Sequence, residues 1–432
     1  MFNEQIFMDL SPLAPSGVKK EQYVRNDRHA GLPRIGKAFK PILGKFILVF
    51  LVLIVGGFTA SGCTARGTQP QGWSGVMVND SALFYGSMKG KIISLNKDDG
   101  TGLWESVLET PKSSGGFGCA PASNAAAVYG TPVVAGDLVY VGAYLYIGNQ
   151  AYGKVYAFNF TTGTLRWVYP RQDNLDAAII GGLAIAGDSV YFGTADGTVY
   201  ALDAATGDWR WDARTDGEIW STPVIDGDSL YVGTLDKKIY ALDITNGSKK
   251  WAPVGVGGAI TTPPVIHDNI VYFGSFDRYL YAVEATSGTL KWKSEAEAGN
   301  WFWARPVIVN NVVYAASLDG KVYALDAENG RTVVEFDLGS SISSSPVLVD
   351  NTILVATEEG VLYSLDTGTN REKRLVDVRE LTERELGIYS PLAISDGVIF
   401  VHAQTKKYGS DIYALDAVTG ARVWRSSPPG SK

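Results

Sequence analysis

The sequence predicts an all-β protein: an eight-bladed β-propeller of four-stranded antiparallel blades, preceded by an N-terminal signal or anchor segment. Three observations carry this prediction. A unit of about 42 residues recurs eight times between Trp73 and Trp424. Each unit reads as four short strands parted by turn residues, with no stretch of helical period. The composition, 49 Gly, 22 Tyr and 11 Trp against 4 Met, is turn-rich and aromatic-rich.

The chain divides into residues 1–62 (extension and signal segment), 63–72 (tether), 73–426 (propeller) and 427–432 (tail). Lys40 and Lys45 precede an apolar run from Phe46 to Ala60. That run is shorter than the ~20 residues of a spanning helix and has the length of a signal-peptide core. Ala60-Ser61-Gly62-Cys63 follows and resembles a bacterial lipobox, which makes Cys63 the candidate for lipidation and for the mature N-terminus. An ordinary signal peptide or uncleaved anchor is the alternative. Residues 1–39 are long for a leader and read as a start-site extension or a cytoplasmic tail. Thr64–Gly72 is small and polar, as a flexible tether is. The second cysteine, Cys119, is then a free thiol, so this is no disulfide scaffold.

Of the formal charge of −7, residues 1–62 carry +4, from eight Lys/Arg and four Asp/Glu, which leaves −11 for the rest. An acidic body lacks the clustered cations that hold nucleic acid.

The repeat is plainest at Tyr200, Asp203, Gly207 and Trp211, and again at Tyr240, Asp243, Gly247 and Trp251. It returns at Tyr156, Tyr281 and Tyr413; the first copy begins at Ile93, the sixth has Val334 for Trp, and the seventh decays after Asp366. Thr222 to Gly233 supplies the upstream half, a Pro-Val-Ile strand and a Leu-Tyr-Val-Gly strand. Asp196-Gly197, Asp319-Gly320 and Glu359-Gly360 suit tight hairpins. The Asp-x-x-Thr-Gly segment suits a capped turn with a left-handed Gly. One such sheet cannot cover both its faces, so a ring of sheets supplies the core.

These Ala-x-Asp-x-x-Thr-Gly-x-x-x-Trp units resemble the tryptophan-docking motif of the PQQ-like repeat superfamily, across essentially the whole body. Compact blades behind a lipobox-like start look most like its BamB-like lipoprotein group. That resemblance implies a membrane-tethered, extracytoplasmic scaffold at the cell surface or in the periplasm: monomeric, without a cofactor or catalysis, and bound to envelope proteins through loops or a blade edge. The superfamily also holds quinoprotein dehydrogenases. The alternative is therefore a PQQ-dependent oxidoreductase with calcium, or a PQQ- or carbohydrate-binding sensor. Against the enzyme, no two cysteines are adjacent and most Asp residues fall in the repeated turn. His29, His267 and His402 are scattered, and neither zinc-site nor nucleophile-elbow spacing occurs.

Propellers place sites where loops enter the innermost strands. Aligned on Pro, the residue three positions before it gives Trp73, Tyr129, Ile180, Trp220, Thr261, Trp303, Ser343 and Ile388, with Trp301 and Tyr389 beside them. Arg305 lies two residues after Trp303. The expected binding residues are Trp73, Tyr129, Trp220, Trp301, Trp303, Arg305 and Tyr389, an aromatic rim suited to an extended peptide, a sugar or a flat ring. Such residues could equally fill the channel top. Two irregular stretches, Pro111–Val128 and Ala143–Gly153, lengthen the blade 1–2 region, and a charged turn, Glu295–Trp303, runs into Trp-Phe-Trp.

Overall fold

The computed structural model describes residues 74–87, 90–108, 125–147, 150–382, 385–405 and 409–427. Cys63, Trp73, Cys119 and most of the Pro111–Val128 stretch lie outside them. The described residues form eight antiparallel sheets and no helix, each sheet made from consecutive strands. Blade 3 shows the plan: Ala184–Ala186, Ser189–Gly193, Thr198–Asp203 and Trp209–Arg214. The first strands of neighbouring blades approach one another, blade 8 to blade 1 included, so they form the inner layer of a closed ring.

What closes the ring is repeated at each seam. A separate apolar cluster lies between every pair of neighbouring blades; Tyr191, Val199, Trp211, Ile219, Leu230 and Tyr240 join blades 3 and 4. Trp211 Nε1 donates to the Ile244 carbonyl of the next blade at 3.0 Å, and Tyr191 Oη donates to the same oxygen at 3.1 Å. The indole also lies flat on the next blade's turn. A Cβ on Gly247 would stand 2.6 Å from the Trp211 ring, and Gly247 has φ +73°. Only glycine accepts both conditions. The same pairing joins Trp104 to Gly163, Trp167 to Gly207, Trp251 to Gly288, Trp292 to Gly330 and Trp424 to Gly100.

This links the missing Trp of blade 6 to the missing Gly of blade 7. Blade 6 has Val334 in place of the docking Trp, so blade 7 has no ring to receive, and its turn uses Asn370 at φ +53° where others use Gly. The turns are otherwise self-satisfied: Asp203 Oδ1 accepts from Ala205 N and Thr206 N at 3.0 and 2.9 Å. The hairpin glycines read from the sequence, Gly197, Gly320 and Gly360, have φ of +83°, +87° and +87°.

Two blades break the pattern. In blade 2 the second and third strands lengthen to Leu138–Ile147 and Gln150–Asn159, and in blade 8 to Val398–Thr405 and Ser410–Asp416. Each long hairpin gains a fifth strand from the preceding linker, Ala125–Ala127 and Leu386–Ile388. The widened Ala143–Gly153 hairpin expected from the sequence is thus a ten-residue strand pair. These hairpins flank blade 1 on the face where the linkers enter the blades.

Candidate functional site

The linker into blade 4 shows what four successive residues can do. In the linker to blade 4, Ile219 is fully buried; a Cβ on Gly193 of blade 3 would stand 2.2 Å from its Cγ2. Trp220 follows and is half-buried. Ser221 Oγ donates to the Gly233 carbonyl at 2.9 Å and accepts from Gly233 N at 3.0 Å, fixing the first strand to the second. Thr222 Oγ1 accepts from Gly182 N of blade 3 at 2.7 Å. In this linker three of the four positions serve the fold, and Trp220 is left to face the channel mouth.

Strand pairing sets which residues share that position, and it corrects the alignment on Pro at one blade. Ala393 pairs with Phe400 as Val224 pairs with Tyr231. Leu392, not Pro391, therefore matches Pro223; Tyr389 takes the Trp220 position, and Ile388 becomes the buried partner of Ile219. Among the described residues the ring is Tyr129, Ile180, Trp220, Thr261, Trp303, Ser343 and Tyr389. Aromatics stand on blades 2, 4, 6 and 8, and small or aliphatic residues on blades 3, 5 and 7. Alternation of large and small fits a narrowing ring, and it also leaves gaps between aromatic faces.

The aromatic residues differ in how they are held. Trp303 and Trp301 both stack on Phe276 from the blade 5 turn, with centroids at 5.7 and 4.5 Å and interplanar angles of 23° and 9°. The carbonyl of Trp301 accepts from Leu318 N at 3.0 Å. Trp220 Nε1 donates to Glu218 Oε2 at 3.3 Å, and burial raises the Glu218 pKa. Tyr129 meets Tyr144 of the long blade 2 hairpin edge-on at 5.5 Å.

Arg305 stands apart. Its ring position, the Thr222 position, holds Gly75, Thr131, Gly182, Pro263, Ser345 and Pro391 in the other blades. Its backbone N donates to Ser345 Oγ at 3.1 Å, but its guanidinium has no partner among the described residues. The side chain keeps contact with solvent, while the protein around it lowers its pKa by desolvation. An unpaired cation under partial desolvation among small residues is suited to receive an anion.

Sequence reasoning missed Glu358 on the same face. It stands in the blade 7 turn at the place held by Ala195, Leu235, Phe276 and Leu318 in blades 3 to 6. Burial raises its pKa, and Glu358 Oε1 and Ser343 Oγ are both buried without a hydrogen-bond partner. The sequence signal was present, a carboxylate where the repeat keeps an apolar residue, but Glu358-Glu359-Gly360 reads first as a hairpin.

A calcium-bound quinone needs several oxygen ligands converging on one point. Among the described residues no group of three or more His, Cys, Asp or Glu is placed to hold a metal, and the rim carboxylates Glu218 and Glu358 belong to different blades.

Comparison with known proteins agrees with the architecture. The family described as outer membrane protein assembly factor BamB matches residues 64–294 and 277–373. The outer membrane protein assembly factor BamB of Shewanella oneidensis is 29% identical over 140 residues, 32% of this chain; the match spans 30% of that relative's length. Among solved structures, a computationally designed protein superposes with a TM-score of 0.63 at 17% identity, over 81% of this chain and 98% of its own. BamB from Moraxella catarrhalis superposes with a TM-score of 0.58 at 21% identity, over 80% of this chain and 91% of its own.

Proposed function

The chain belongs to the family of outer membrane protein assembly factor BamB, and from that premise we propose that it is a non-catalytic binding propeller, held to a membrane outside the cytoplasm, whose linker face takes an extended segment of an envelope protein. One observation carries the reading. Half-buried aromatic side chains recur at every second described blade, Tyr129, Trp220, Trp303 and Tyr389, around an unpaired Arg305. Aromatic side chains offer large apolar area at small entropic cost, and an unpaired guanidinium supplies a directional anchor. The segment would lie across the gaps left by Ile180, Thr261 and Ser343. Cys63 is the proposed site of lipidation, and residues 64–72 the tether.

The test uses the full-length, detergent-solubilised protein with its membrane partners. Intact mass places the mature N-terminus at an acylated Cys63, and Cys63→Ser shifts the protein from the membrane to the soluble fraction. The double variant Trp220→Ala, Trp303→Ala keeps its fold and loses co-purifying envelope proteins at least tenfold. A folded double variant that retains every partner at wild-type strength would falsify the rim assignment.

A further inference from the structure

We propose that Glu358, Ser343 and Tyr389 form a cation-accepting subsite between blades 7 and 8, built for the ammonium or guanidinium of a basic side chain. The proposal rests on the reading of this face as a peptide-binding rim and adds a chemical requirement to it.

The repeat defines what an ordinary residue would do at this place. In blades 3 to 6 the second residue of the turn between strands two and three is Ala195, Leu235, Phe276 or Leu318. Its backbone N donates to the linker that leads into its own blade: Leu235 N to Glu218 O at 2.9 Å, Phe276 N to Ala259 O at 2.9 Å, Leu318 N to Trp301 O at 3.0 Å. Its side chain can reach the following linker, as Phe276 does against Trp301 and Trp303. Glu358 keeps the backbone bond, to Ser341 O at 2.8 Å, and places a carboxylate where the others place hydrocarbon.

Within the fold the one side chain that acts on that carboxyl is Ser343, against the larger effect of burial. Oε1 is buried without a partner, and so is Ser343 Oγ, although Ser343 lies close enough to oppose the rise in the Glu358 pKa. A buried carboxylate with only a single hydroxyl beside it weakens a fold, and a leucine here would not. The next linker adds a third polar atom. Burial and the Glu358 charge raise the Tyr389 pKa, and a Cβ on Gly387 would stand 2.6 Å from both the Tyr389 hydroxyl and the Glu358 carbonyl. Gly387 thus leaves room for the phenol beside the Glu358 backbone. Arg305 does not satisfy the carboxylate, since Glu358 Oε1 has no hydrogen-bond partner among the described residues. The rim therefore presents two uncompensated groups of opposite sign on neighbouring blades. A ligand bearing several N–H donors and a positive charge satisfies the carboxylate, the hydroxyl and the phenol at once.

The probes are Nα-acetyl-lysine methylamide, Nα-acetyl-arginine methylamide and the uncharged Nα-acetyl-norleucine methylamide, titrated into the full-length protein and read by saturation-transfer NMR. We expect at least one charged probe to bind at least tenfold more tightly than norleucine, and Glu358→Gln to remove that preference while Glu359→Gln, on the exposed neighbour, keeps it. Glu358→Leu should raise the melting temperature while abolishing charged-probe binding, which separates lost recognition from lost folding. Equal binding of charged and uncharged probes, no binding of either charged probe, or an undiminished preference in Glu358→Gln would overturn the subsite. If that happens while Trp220→Ala, Trp303→Ala still loses its envelope partners, the rim reading survives and only the cation subsite falls.

Discussion

The two ends of the propeller's strands obey different rules. At one end lie the turns joining strands one and two and strands three and four. There the same Asp, Gly and Trp recur in most blades, and the turn hydrogen bonds are satisfied locally. At the other end, linkers and hairpins share the same backbone bonds but carry Trp220, Trp303, Tyr389, Arg305 and Glu358, each unlike its counterpart in the next blade. A side chain copied around the ring serves the ring. One that departs from the copy, particularly as an unpaired charge, is poorly explained by folding alone.

Two tryptophans nine positions apart test this most directly. Trp211 docks in the seam between blades 3 and 4, with 7% of its surface exposed. Trp211→Ala should cost about 3–5 kcal/mol. Trp220→Ala, on the linker face, should cost under about 1 kcal/mol, within the range of surface substitutions, and act on partner binding instead. Thermal denaturation of both variants measures the gap, and equal costs would break the distinction between the two ends.

Next in size is Gly207→Val, expected to lose about 3 kcal/mol or more, because its φ of +72° and the Trp167 ring 2.5 Å from a new Cβ add strain to overlap. Gly227→Ala is the control, with φ +58° and open space around it, at about 1 kcal/mol. Denaturation midpoints for the two should differ severalfold in their shift.

A comparable effect comes from pH. His402 occupies the blade 8 position held by Gly233 in blade 4 and is fully buried, Nδ1 donating to the Ser74 carbonyl at 2.7 Å and Nε2 without a partner. Burial pushes its pKa down to about 4 from 6.5, against an opposing pull from Asp411. Below pH 6.5 the unfolded chain binds a proton that the folded chain refuses. Stability is therefore whole above pH 6.5 and falls as pH drops toward 4, by on the order of 3 kcal/mol. His402→Gln should flatten that window in a comparison of melts at pH 7 and pH 4.5. The smallest effect is Asp243→Ala, which removes a turn acceptor from Thr245 N and should cost about 1 kcal/mol by the same assay.

The fold was legible because periodicity is redundant: a unit that loses its Trp, as blade 6 does, is still bracketed by five intact ones. The rim was legible only to the accuracy of one anchor residue. Proline marks the first strand in most blades, but in blade 8 it slipped one position, to Pro391, and took Ile388 onto the ring in place of Tyr389. Strand pairing restores the register because hydrogen bonds count residues and side-chain identity does not. Glu358 was hidden for another reason. A carboxylate before Gly is what a hairpin asks for, and only packing shows that Glu358 is enclosed while Glu359 faces solvent.

Blades 1 and 8 meet without exchanging a strand. Their seam is held by Trp424 Nε1 donating to the Lys97 carbonyl at 2.9 Å, by the Lys97–Asp396 ion pair and by the cluster of Tyr85, Ile93, Phe400 and Ile412. During synthesis blade 1 emerges first and its partner last. One apolar flank of blade 1 must therefore stay uncovered while the other seven blades are translated. Bringing the two flanks together closes a loop of more than 300 residues, an entropic cost on the order of 5 kcal/mol, so the last seam to form must be strong enough to repay the whole circuit.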